Sequence, residues 1–234
     1  MSDRPFDQLR DVKLEIPYTS STPGSVLISM GRTRVLCTAS VQSDVPRWMR
    51  ESGKGWISAE YAMLPGSSPE RVRRDHVSGG RAKEISRLIG RSLRAVVDLK
   101  AMGEAMAMVD CDVIEADGGT RTAAVTGAWI ALHEALVDAV DKGQLSSIPI
   151  LDEVAAVSVG IVEGTPMLDL DYEKDVAAEV DMNVVMSGRG LLVEVQGTAE
   201  RAPFTRDELD QLLDLAASGI SELHDLQRRA VAAE

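Results

Sequence analysis

The six consecutive residues Asp117-Gly118-Gly119-Thr120-Arg121-Thr122 hold most of what is needed to grip a phosphate. Two glycines allow a tight turn and place no Cβ between backbone and ligand. The helix expected to follow offers amides without intrahelical partners and the positive end of its dipole. Thr120 adds a hydroxyl, and Arg121 a planar fork of permanent positive charge. The same residues also suit a plainer use, as a tight loop with Thr120 capping the helix. A second concentration of chemistry spans residues 169–183, where Asp169, Asp171, Glu173, Asp175, Glu179 and Asp181 accompany a single cation, Lys174. Crowded carboxylates repel one another unless a shared proton or a cation relieves them. Mg²⁺ is such a cation: it takes one or two carboxylates and fills its other positions with water and substrate phosphate. Aspartates are also ordinary turn formers at a strand entry.

The elements that must position these groups follow from periodicity. An apolar strand over 107–114 leads into the glycine turn, and a helix over 123–141 leaves it. Upstream, two β-branched runs around Gly31-Arg32-Thr33 form a hairpin over 25–41, and a short strand follows at 56–61. Residues 64–80 carry Pro, Gly and Ser without an apolar period, which predicts a long mobile loop, and Arg71, Arg73 and Arg74 lie within it. From Arg81 a helix places Ile85, Leu88, Ile89, Leu93, Val96 and Val97 on one face. Two further hairpins are expected, 154–171 and 179–196. The last helix opens on Thr205 as N-cap with Glu208 as its capping-box partner and runs to about residue 229. Hairpins alternating with long helices give an α/β (α+β) layered fold, and their order hints at two similar halves sharing one sheet arrangement.

Composition narrows the function classes. The 234 residues suit one large domain or two small ones, and with 44% hydrophobic but only 3% aromatic residues the core must be aliphatic. Residues 1–22 are polar and broken by proline, and no apolar run approaches the length of a membrane span, so a cytoplasmic protein with no membrane partner is expected. Cys37 and Cys111 lie in apolar strand patterns, as buried free thiols do. A net charge of −12 speaks at first against a polyanionic partner. Residues 47–100, however, carry twelve lysines and arginines against six acids, a local +6 suited to anions.

Taken together, these words in this order resemble the RNase PH family of phosphate-dependent exoribonucleases over nearly the whole chain. The resemblance rests on Gly24-Ser25-Val26-Leu27, Val35-Leu36-Cys37-Thr38-Ala39-Ser40, Gly55-Trp56-Ile57 with Ala59-Glu60-Tyr61 and Met63-Leu64-Pro65, and Arg87-Leu88-Ile89-Gly90-Arg91. It continues through Leu93-Arg94-Ala95, Asp110-Cys111-Asp112-Val113 with residues 116–122, residues 177–186 and Val193-Glu194-Val195-Gln196-Gly197-Thr198-Ala199-Glu200. It implies a single domain over 1–234 with a two-layer βα sandwich shared with a ribosomal protein domain. It also implies a site in which Arg81, Gly119, Thr120 and Arg121 bind inorganic phosphate as co-substrate, with Asp175 and Asp181 as the essential acids. Those acids serve either in proton transfer or as ligands of Mg²⁺. The resemblance further implies contact of the Arg71, Arg73 and Arg74 loop with tRNA precursors and other RNA 3′ ends, and a homohexamer built as a trimer of dimers. This chain departs from the family in Gly66, where an arginine is usual after Leu64-Pro65, in a basic loop a few residues shorter, and in fewer arginines before residue 11. The alternative is a ring subunit that only scaffolds or threads RNA. Such a subunit is expected to lose the arginines or the aspartates, and here all four are present.

Overall fold

The structure is a computed structural model that describes residues 4–74, 79–201 and 203–232. Strands β1 (Val12–Glu15), β2 (Gly24–Met30), β3 (Thr33–Gln42), β4 (Trp56–Met63) and β5 (Met106–Glu115) form one sheet in the order β1-β2-β3-β5-β4. Strands β6 (Val154–Val162), β7 (Thr165–Leu168), β8 (Val180–Ser187) and β9 (Leu192–Ala199) form a second, in the order β7-β6-β8-β9. Neighbours pair antiparallel except β4 and β5, whose parallel register, Glu60 opposite Asp110, needs the crossover that α1 (Gly80–Arg94) supplies. The two halves therefore hold separate sheets rather than one shared arrangement.

Helix α2 (Thr120–Asp141) packs against β2, β3 and β5 on one side and β6 on the other. Its sequence explains this place. Ala123, Ala124, Val125, Ala128, Ile130, Ala131 and Leu132 are fully buried around the whole first half of the helix, and a helix apolar all round belongs in a core. By length and composition α2 is the one helix among the described residues that could cross a membrane, but 72% of its apolar window is buried inside the protein. The sequence reading had found no such run. Strand β6 is buried along nearly its entire length, and both α2 and α4 (Arg206–Val231) pack against it.

Several local expectations change. Helix α1 ends at Arg94, so Val96 and Val97 are buried beyond it, with Val97 bridged to Ile150. Strand β1 was unforeseen: four residues of alternating burial are too short a signal to stand out. The acid run contains a helix, α3 (Tyr172–Ala177), where a loop was expected. The capping box at Thr205 and Glu208 is present, and Cys37 and Cys111 are free, buried and opposite one another on β3 and β5. In the loop over 64–80, Leu64 donates to Val113 O at 3.0 Å and Val72 to Pro65 O at 3.0 Å. The part of the predicted mobile loop at 75–78 lies outside the described residues.

Candidate active site

The glycine turn is shaped by two demands. Gly118 and Gly119 have φ of +74° and +65°, the left-handed region that L side chains avoid. A Cβ at Gly118 would also stand 2.5 Å from Leu170 O, because the turn is pressed against the backbone that enters α3. Gly119 is the N-cap of α2, and no side chain caps that end. Thr120 is therefore not the cap that the plainer reading expected: its hydroxyl lies 2.8 Å from the Tyr61 hydroxyl inside the protein.

The carbonyl side of the turn is clamped. Arg10 donates to Asp117 O at 2.6 Å, and Thr33 Oγ1 donates to Gly118 O at 2.6 Å while accepting from the Asp117 amide at 2.9 Å. Arg32 forks onto the Asp117 carboxylate at 2.9 and 3.1 Å. Arg10 is itself fixed by fully buried Asp169, through Nη2 at 2.7 Å, Nε at 2.9 Å and its own amide at 2.8 Å. Arg4 stands 3.6 Å from the same carboxylate. With the carbonyls so engaged, the turn is held rigid at the place where the first amides of α2 lack intrahelical acceptors.

The acid run divides by role. Asp169 belongs to the Arg10 clamp, and Asp171 caps α3 by accepting the Lys174 amide at 3.0 Å. Asp175, on α3, and Asp181, on β8 opposite Gly160 and Thr198, line a cavity of about 470 Å³ with Arg81, Val176, Ala178, Glu200 and Arg201. Burial and the neighbouring Asp175 charge push the Asp181 carboxyl up to about 6, against the pull of Arg121 and Arg81. Asp175 is also pushed upward, first by desolvation, while Arg81 and Arg121 pull it down. Arg121 donates to Gln196 Oε1 at 3.2 Å and stands 3.5 Å from Glu84. Desolvation likewise raises Tyr61, against the opposing pull of Thr120, Arg81 and Arg121, so its hydroxyl keeps its proton beside Thr120.

Arg81, Asp175 and Asp181, far apart in sequence, thus line one cavity, and Arg121 at the turn acts electrostatically on both acids. Arg71, Arg73 and Arg74 are exposed on the loop leaving β4 and are not among the residues lining the cavity. That loop begins beside the glycine turn, where Ser67 O accepts the Ala116 amide at 2.7 Å. Sequence reasoning gave no role to Arg10, Tyr61, Glu84, Gln196 or Glu200. Tyr61, Gln196 and Glu200 stand inside motif words that carried the resemblance. Arg10 and Glu84 had no local signal, because their partners lie on distant elements.

Residues 8–138 match domain 1, and residues 152–219 domain 2, of the 3′ exoribonuclease family. The chain belongs to that family. A ribonuclease PH from Methylobacterium radiotolerans is 56% identical over 234 residues, covering 99% of each chain. Among solved structures, this member of the family resembles a chain of the Archaeoglobus fulgidus exosome with RNA bound to the active site. The TM-score is 0.80 at 22% identity, over 95% of this chain and 90% of that one. It also resembles rice (Oryza sativa) Rrp46, with a TM-score of 0.78 at 18% identity over 97% of each chain. At those identities the likeness concerns the fold.

Proposed function

We infer that this chain is a phosphorolytic 3′-to-5′ exoribonuclease that uses inorganic phosphate to remove terminal nucleotides from tRNA precursors as nucleoside diphosphates. The observation that carries this reading is a pair of carboxyls raised above the ordinary aspartate value in one cavity with Arg81, both acted on by Arg121 at the clamped glycine turn. The family and the 56% identical ribonuclease PH support it. Arg81, Arg121, the Thr120 hydroxyl and the Gly119 and Thr120 amides bind the attacking phosphate, since positioning and charge stabilisation dominate phosphoryl transfer. A phosphate oxygen attacks the phosphorus of the terminal phosphodiester, the bond to the 3′ oxygen of the preceding nucleotide breaks, and that oxygen takes a proton. The last nucleotide leaves as a diphosphate, and the reverse reaction adds one. With its carboxyl raised to about 6, Asp181 suits the proton donor.

Like charges at Asp175 and Asp181 favour a second reading, in which the pair holds Mg²⁺. Two carboxylates are the usual protein share of that ion, with water and phosphate completing its shell, and no cluster of three candidate ligands occurs among the described residues. When bound, Mg²⁺ would neutralise charge at the leaving oxygen. The pH profile separates the roles: a donor loses activity as pH rises above about 6, a ligand as pH falls below about 6. Arg71, Arg73 and Arg74 are assigned to RNA backbone beyond the site, where cationic side chains position without reading sequence. The continuous core through both sheets supports one folded unit over 1–234. Exposed Leu191, Leu192 and Val195 along the edge strand β9 support assembly, proposed as a homohexameric trimer of dimers working in the cytoplasm. Light scattering should then give about six times the 25.2 kDa chain mass. The activity is tested by incubating the protein with an RNA oligomer with and without phosphate. Phosphate-dependent nucleoside diphosphates are expected, and shortening to monophosphates without phosphate would overturn the reading.

A further inference from the structure

Arg121 does not stand free at the mouth of α2. It donates to Gln196 Oε1 at 3.2 Å, and the Gln196 amide donates in turn to Glu84 Oε1 at 3.1 Å and Glu194 Oε1 at 3.0 Å. Glu194 is fixed by the Arg91 fork at 2.7 and 2.9 Å. The chain of contacts thus joins three elements, α1 through Glu84 and Arg91, β9 through Glu194 and Gln196, and α2 through Arg121. Residues 194 and 196 are two apart on β9, so both side chains lie on the face that meets α1.

The chemistry of the central position is specific. A neutral amide accepts from a guanidinium with its oxygen and donates to two carboxylates with its nitrogen. A carboxylate at 196 would repel Glu84 and Glu194, an amine could not accept from Arg121, and an apolar side chain would do neither. A long arginine left with only a 3.5 Å contact to half-exposed Glu84 would sample many rotamers, and a phosphate would have to order it on binding. We propose that Gln196 is the positioning residue of the phosphate site, holding the Arg121 guanidinium in place through its bridge to Glu84 and Glu194. It need not touch the RNA or the phosphate.

The proposal rests on Arg121 being a phosphate ligand, and a double-mutant cycle keeps the two claims apart. Single-turnover cleavage of end-labelled RNA, with enzyme in excess, gives kcat/KM for inorganic phosphate even in slow variants. It is measured for the wild type, Gln196→Met, Arg121→Ala and the double variant. Gln196→Met should lower kcat/KM for phosphate about tenfold, the scale of one charge-assisted contact, with the rate at saturating phosphate nearly unchanged. In the Arg121→Ala background the same change should have an effect of less than about twofold, because nothing remains to position. An equal loss in both backgrounds, or no loss in the first, overturns the proposal. If Arg121→Ala itself leaves the phosphate dependence intact, the phosphate assignment fails instead. Gln196→Asn, which keeps the amide but withdraws it by one methylene, should lose less than Gln196→Met. It runs the same cycle should the methionine variant fold poorly.

Discussion

The glycine turn and the acid pair are built on opposite plans. The phosphate side is over-determined: Asp117, Gly118 and Thr120 are each held by Arg10, Arg32, Thr33 or Tyr61, and Arg10 is locked to a carboxylate with no exposure. The acid side is under-compensated. Asp175 sits on the exposed face of a six-residue helix, and Asp181 is left half-buried with its charge unfavourable. Stability has been concentrated where an anion must find fixed donors, and electrostatic cost has been left where a proton or a cation must be exchanged. Changes to the bracing of the turn should therefore damage the fold, and changes to the acids should damage turnover.

The largest effect is expected from Asp181→Asn. Losing the proton donor should lower kcat by about 10²–10⁴-fold with RNA affinity nearly intact, read by steady-state kinetics beside filter binding. A fully active variant would remove the acid from the account. Next comes Arg10→Ala, which strips the guanidinium from buried Asp169 and leaves it the backbone amide of residue 10 at 2.8 Å and Arg4 at 3.6 Å. Orphaning a buried charge costs about 3–5 kcal/mol, so with Arg4 in place a loss near about 3 kcal/mol is expected. For a chain of this size that is a fall in Tm of about 6–12 °C. Asp175→Ala should cost less than about 1 kcal/mol, as surface changes do. Equal losses would erase the contrast between the two sides. The smallest effect has the opposite sign. Because the folded-state pKa of Asp181 is raised from 3.8 to about 6, its carboxylate destabilises the fold above pH 6, and the penalty fades as pH falls towards 3.8. Asp181→Asn should accordingly gain about 1 kcal/mol at pH 7–8, allowing for partial solvation, and nothing at pH 4. Thermal melts at the two pH values check this.

What could be read from the sequence follows the same division. Gly118, Gly119 and Arg121 announce an anion turn because their chemistry is local, and the capping box at Thr205 and Glu208 is local too. The long apolar segments gave the strands and helices, but helix α3 was hidden, since six residues rich in acids carry no period. Residue type and spacing alone do not separate Asp169 from Asp175, and only the family resemblance singled out Asp175. Both are aspartates in one run, and what distinguishes them is Arg10, 159 positions away. Burial and long-range pairing, rather than residue type, decide which carboxylate is structural and which stays available for chemistry. The phosphate side was legible in outline. Its bracing by Arg10, Thr33, Tyr61 and Gln196 was not.

The central claim is that the glycine turn and its arginines hold the phosphate while the acid pair handles the leaving oxygen. The direct test is phosphate saturation of phosphorolysis by the wild type, Arg121→Ala and Asp181→Asn. The account predicts that Arg121→Ala raises KM for phosphate by about 1.5–3 kcal/mol of lost binding, roughly ten- to a hundredfold, and that Asp181→Asn lowers kcat at unchanged KM. Identical effects of the two variants on both constants, or a phosphate KM untouched by Arg121→Ala, would contradict it.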